Sequence, residues 1–255
     1  MLELEVNGKR ERIRTGLHIC QFYTHPSETV QTAEPFIRNG LRNGERCWVA
    51  TTPERLDDFR AVLSEERVDV ENVIDSGQLM LVDDKEPLLA DEKFDPYHLL
   101  SQHQSLITRS LSEGWPTVRV VLDLSWLAAG IATTEQLLKY EAAADAIFTF
   151  QNRPVIVLAQ YRYSDLPEDV AVELLRLHPI SVVGKFIKRN PYYVDSEHYM
   201  VQIIRRSQQR RTARTSANGR NGRARLRSET TAAVSAAQTG DESSAAPGSV
   251  AERSA

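Results

Sequence analysis

His18-Ile19-Cys20 is the first place in this chain where residue type and spacing could do chemistry. On an extended chain, side chains two residues apart leave the same face. An imidazole beside a thiol is the pair that ligates a soft metal or forms a nucleophile with its base. A metal needs more ligands. His25, Cys47, His98 and His103 carry the right atoms, but no Cys-x-x-Cys or His-x-x-x-His spacing marks them. No metal and no cofactor is therefore expected. The plainer reading makes Cys20 a small buried hydrophobe and His18 a hydrogen-bonded strand residue.

The segment that follows excludes one large class of ligand. A phosphate-binding turn reads G-x-x-x-x-G-K-[ST], with glycines that let the backbone wrap the phosphates and a lysine that reaches them. Here the turn is Phe22-Tyr23-Thr24-His25-Pro26-Ser27-Glu28-Thr29, with neither Gly nor Lys. Pro26 removes an amide donor. Glu28 puts negative charge where a helix N-terminus would otherwise receive an anion. Asp123, after Val120-Val121-Leu122, has the place of the acid that holds Mg²⁺ in nucleotide hydrolases. Without a phosphate loop it is expected to cap a turn or line a pocket.

Aromatic residues supply the remaining chemistry. Trp48, Trp115, Trp126, Phe22, Tyr23, Tyr161 and Tyr163 could enclose an apolar small molecule. Trp48 is assigned to the core. Tyr23, Trp126 and Tyr161 are assigned to a pocket, with Gln160 beside Tyr161. His178-Pro179 and Asn190-Pro191-Tyr192-Tyr193 read as structural turns.

The elements that must position these residues follow from periodicity. Short β-branched runs predict strands at 18–23, 46–51, 79–82, 118–122, 155–161 and 180–183. Apolar residues at helical spacing predict helices at 28–43, 53–66, 95–113, 134–150 and 167–177. Alternation of this kind predicts an α/β fold, a mostly parallel sheet with helices on both faces. Ligands in such sheets bind beyond the carboxyl ends of the strands. Five segments meet there: Tyr23–Glu28, Thr51–Pro53, Asp83–Glu86, Asp123–Trp126 and Gln160–Asp165. The acids at this edge, including Asp83 and Asp84, favour a neutral or cationic ligand.

Composition divides the chain in two. The net charge of the 255 residues is −4, but residues 201–255 hold ten Arg against four acids and carry +6, which leaves −10 on residues 1–200. Two domains are expected: an α/β body over 1–200, and a disordered Arg-rich then Ala/Ser-rich tail over 201–255. An acidic body is a poor nucleic-acid binder, so polyanion contact is assigned to the tail alone, through Arg205, Arg206, Arg210, Arg211 and Arg214. Two cysteines cannot staple a fold, which suits a reducing cytoplasm. The longest apolar runs fall far short of the roughly 20 residues of a membrane helix.

Together, His18-Ile19-Cys20-Gln21-Phe22-Tyr23, Pro35-Phe36-Ile37-Arg38-Asn39-Gly40-Leu41 and Gly44-Glu45-Arg46-Cys47 resemble the opening of the MEDS domain, the methanogen/methylotroph DcmR sensory domain. Gln160-Tyr161-Arg162, His178-Pro179 and residues 190–193 resemble its later motifs. The resemblance covers about residues 16–195 and departs at Ala159, where a Cys is expected. It implies a RecA/KaiC-like fold that has lost its phosphate loop. It also implies a non-enzymatic sensory role, with a small organic ligand contacted by His18 and Cys20. Its output passes to a separate partner, such as a kinase, an anti-sigma factor or a transcription regulator. The alternatives are a degenerate RecA-like nucleotide binder or ATPase, and a polyanion-associated regulator acting through the Arg tail.

Overall fold

A computed structural model describes residues 2–6, 9–13, 16–83, 94–150, 154–183, 186–205 and 208. By contacts the chain divides into Met1–Val201 and Gln202–Ala255. The first unit is an α/β layered body. In the second, residues 202–205 are helical rather than coil.

A two-stranded antiparallel ribbon comes first, β1 (Leu2–Val6) with β2 (Lys9–Ile13), paired Val6 to Lys9. The seven-stranded sheet holds β3 (Leu17–Tyr23), β4 (Arg46–Thr51), β5 (Leu79–Asp83), β6 (Val118–Asp123), β7 (Val155–Arg162), β8 (Ile180–Val183) and β9 (Phe186–Arg189). Their order is β5-β4-β6-β7-β3-β8-β9, parallel except for the β8–β9 pair. The helices are α1 (Ser27–Arg42), α2 (Pro53–Glu65), α3 (Val70–Asp75), α4 (Pro96–Ser112), α5 (Thr134–Asp145) and α6 (Glu168–Arg176). The expected α/β class, with a mostly parallel sheet covered on both faces, is the one observed.

Alternation along each strand splits the core. Ile19, Val49, Val121, Ile156 and Leu158 pack with Ala33, Phe36 and Phe59 of α1 and α2. Cys20, Trp48, Val120, Val157 and Tyr161 pack with Leu99, Tyr140 and Leu174 of α4, α5 and α6. Both faces of the sheet are thus dry, which is why the strands read as nearly continuous apolar runs.

One expectation needs correction. The helix expected over 134–150 ends at Asp145, and a π-helical turn, Ala146–Phe150, completes it. Cys20 and Cys47 do not lie on adjacent strands: β6 and β7 separate β3 from β4, and the two thiols belong to opposite faces. Cys47 is sealed beside Arg119, and burial pushes its thiol well above the usual range despite that cation.

A buried ion pair ties α1 to the sheet. Arg119 on β6 is fully buried, pairs with Glu45, donates to the Phe36 carbonyl at 2.9 Å and lies over the Phe36 ring at 5.0 Å. A Cβ on Gly40 would stand 2.7 Å from Arg119 Cδ and 2.7 Å from Cys47 Sγ. The Phe36…Gly40…Glu45 spacing is therefore the seat of this arginine.

Candidate functional site

The structure separates the eight expected ligand contacts into three places. The first is the carboxyl edge on the α1/α2 side. Asp123, at the end of β6, accepts from Thr51 Oγ1 at 3.2 Å, from Ser125 Oγ at 2.6 Å and from the Ser125 amide at 3.1 Å. Arg55 of α2 pairs with its second oxygen, and Tyr23 donates to Ser125 at 3.1 Å. The Arg55 guanidinium also lies 5.4 Å from the Tyr23 ring centre. Asp123 is thus surrounded by donors and its charge is compensated, so the acidic character expected of this edge is largely cancelled here. Asp84 and Glu86 lie outside the described residues.

The same region shows what replaced a phosphate turn. Glu28 accepts from the His25 amide at 2.9 Å, closing the N-terminus of α1 on itself. Gln160 donates to Gln21 at 2.7 Å and to the Thr29 carbonyl at 3.0 Å, and Gln21 donates to Thr32 at 2.9 Å. Gln21 and Gln160 are buried, and their amides pin α1 to β3 and β7. Tyr23, Glu28 and Gln160 therefore hold the fold together at this point rather than facing a cavity.

The second place is a cavity of about 220 Å³ on the α4 side, lined among others by Trp48, Ala50, Leu99, His103, Leu122 and Trp126, with Asp83, Gln102 and Asp123 as polar members. Trp126 lines it. Trp48 is a core residue, as expected, and lines the cavity as well; Tyr23 and Tyr161 do not line it. Strand parity is the reason, since Trp48 and Ala50 leave β4 on the side facing α4. The indole N–H groups of Trp48 and Trp126 are buried and have no partner among the described residues. His103 packs edge-on against Trp48 at 5.0 Å and meets the Tyr140 hydroxyl at 3.0 Å. Burial holds its pKa down to about 3, so the ring is neutral near pH 7.

The third place was not expected. His18 and Cys20 do share a face of β3, and that face is closed by α5 and by the turn after α6. Glu141 of α5 is fully buried. Its Oε2 lies 3.4 Å from His18 Nε2 and 3.3 Å from His178 Nε2, while its Oε1 accepts from the Tyr161 hydroxyl. The two imidazole centroids are 4.1 Å apart. Asp145, one turn after Glu141, lies 4.0 Å from His18 Nδ1 and accepts from Tyr193 at 2.8 Å. Burial, with the neighbouring His178, holds His18 well below the ordinary histidine pKa. Burial also opposes charge on His178, but the Cys20 sulfur and Glu141 outweigh it and raise its pKa. Burial and Glu141 keep the Tyr161 phenol protonated. Donor atoms of His18, Glu141 and His178 all lie within 4.8 Å of one another. The other candidates fall elsewhere: His103 is in the cavity, Cys47 is across the sheet, and His25 and His98 are exposed.

The sequence marked His18 and Cys20 but not Glu141 or His178. The signal that could have found Glu141 is an acid at a helix position whose neighbours, Tyr140, Ala142 and Ala144, are core residues. His178-Pro179 was read as a turn, and it is one; the turn aims the ring.

Residues 17–179 match the family model "MEthanogen/methylotroph, DcmR Sensory domain", MEDS, which spans well over half of the chain. The chain belongs to the MEDS family. Across 162 residues it is 26% identical to the transcriptional repressor DcmR of Methylorubrum extorquens, over 63% of this chain and 57% of the repressor's length. Among solved structures, it is similar to the flagellar accessory protein FlaH of Methanocaldococcus jannaschii (17% identity, 69% of this chain and 76% of that one, TM-score 0.46). It is also similar to the KaiC-like protein PH0186 of Pyrococcus horikoshii (15% identity, 66% and 71%, TM-score 0.47). The family gives the chain a sensory, regulatory character. No helix among the described residues is long and apolar enough to cross a membrane. Of the tail arginines, Arg205 is an exposed helical residue; Arg206, Arg210, Arg211 and Arg214 lie outside the described residues.

Proposed function

We propose that this MEDS body is a non-catalytic sensor of a small, largely apolar molecule bound in the cavity between β4, β6 and α4, with output to a separate transcriptional or signalling partner. The observation that carries this reading is the cavity itself: apolar walls, an Asp123 already neutralised by Arg55, and two unpaired indole donors. A buried donor without an acceptor costs about 1–3 kcal/mol. A ligand carrying one hydrogen-bond acceptor would relieve part of that cost at Trp48 or Trp126. A phosphate would find no glycine loop, no lysine and a carboxylate at the helix N-terminus. Signalling further requires that the ligand favour one conformation of the body over another.

The test is a thermal-shift screen of small alcohols, ethers, halogenated hydrocarbons and ATP with Mg²⁺, paired with tryptophan fluorescence. The expected result is stabilisation by an organic compound, accompanied by a fluorescence change. Filling the cavity with Ala50→Leu should abolish both. Stabilisation by ATP with Mg²⁺ alone would overturn the reading in favour of a nucleotide-binding protein.

A further inference from the structure

We propose that His18, Glu141 and His178 form a buried binding site for a divalent transition metal of the zinc class. Three observations carry it. The first is distance. In a tetrahedral site with bonds of about 2.0–2.1 Å, neighbouring ligand atoms stand about 3.3–3.4 Å apart. The two gaps from Glu141 Oε2 to the imidazole Nε2 atoms are 3.4 and 3.3 Å.

The second is orientation. A histidine that ligates through Nε2 gives its Nδ1–H to a carbonyl or carboxylate, which fixes the tautomer and aims the ring. His178 Nδ1 lies 2.7 Å from the Leu174 carbonyl, which turns its Nε2 inward. His18 turns its Nε2 inward as well, 3.4 Å from Glu141, while its Nδ1 stands 4.0 Å from Asp145 and makes no hydrogen bond among the described residues. The third is incomplete bonding. Glu141 Oε2 and His178 Nε2 face each other at 3.3 Å as an ion pair, yet neither makes a well-aligned hydrogen bond among the described residues, on side chains that are 0% exposed. Such groups are satisfied in proteins by a partner or an ion.

The donor set is two imidazoles and a carboxylate from three separate elements, β3, α5 and the α6–β8 turn. Zinc-class metals take such a set of two imidazoles and one carboxylate and can leave a fourth position open; Mg²⁺ and Ca²⁺ prefer oxygen ligands. Because the ligands come from the core, metal binding and folding are coupled, and the ion enters as the chain folds. The site is independent of the cavity reading: ligand screening and metal binding can fail separately.

The test uses the full chain, purified without a histidine tag, unfolded with chelator and refolded with or without one equivalent of Co²⁺ or Zn²⁺. The expected result is one metal per chain by native mass spectrometry. The cobalt form should show tetrahedral ligand-field bands. His178→Gln and Glu141→Gln should abolish stoichiometric binding. His98→Gln, at an exposed histidine outside the cluster, should bind as wild type. X-ray absorption of the zinc-loaded wild type needs no variant and should show imidazole scattering. Folded wild type that takes up no stoichiometric metal, or zinc-edge spectra without imidazole, would overturn the site. So would undiminished binding in folded His178→Gln.

Discussion

A single arginine decides what Asp123 can do. Placed at a strand end behind an apolar run, Asp123 has the sequence context of a magnesium ligand, yet Arg55, Thr51 and Ser125 hold both of its oxygens. Asp123→Asn is therefore expected to lower stability by about 3–5 kcal/mol, because it leaves the Arg55 charge buried without a partner. It should produce no change in an ATPase assay. Chemical denaturation and phosphate release would measure the two. His103 is the second residue-scale case. Its folded pKa, about 3, lies below the ordinary histidine value of 6.5. The unfolded chain takes up a proton below about pH 6.5 that the folded chain refuses, so stability falls as pH drops from about 6.5 towards 3. The slope from one such group is about 1.4 kcal/mol per pH unit. His103→Phe should flatten that slope in denaturation curves recorded between pH 7 and pH 4.

Elements carry a different kind of consequence. α1 is fastened to the sheet by the Gln21–Gln160 amide pair at its start and by Arg119 near its end. Arg119 is held by Glu45 and the Phe36 carbonyl and cannot swing away, so Gly40→Ala meets it head-on. The expected cost is about 1–3 kcal/mol from overpacking, read as a lower denaturation midpoint at unchanged slope. α5 begins with a reciprocal capping box between Thr133 and Gln136. Thr133→Ala should cost about 1 kcal/mol. Because α5 also carries Glu141 and Asp145, that variant should lower metal content only to the extent that it unfolds the chain. Strand and helix positions were largely legible, because dry strands leave apolar runs and amphipathic helices leave a 3.6-residue stripe. The β1–β2 ribbon was legible too, through Asn7-Gly8 between two alternating segments, but was left unread. The short helix α3 and the π-helical turns left no periodic signature, being only five or six residues long.

Over the whole molecule, charge is divided along the chain, with +6 beyond residue 200 against −10 before it. If the tail is a polyanion arm, deleting residues 206–255 should remove heparin or DNA binding, and the affinity of the intact chain should fall steeply with salt. Binding that survives the deletion would move that role to the body. By itself the sequence determined the layered α/β class, the absence of a phosphate-binding turn and the family, since each depends on residues close together in the chain. It could not determine which aromatics share a cavity, for that depends on strand parity and on which helix covers which face. Nor could it bring His18, Glu141 and His178 together. His18 lies more than a hundred residues before the other two, and all three meet only because β7 and β8 flank β3 and α5 lies across that face. Contact between distant residues is a property of topology, and topology is settled by how the two faces of the sheet are buried.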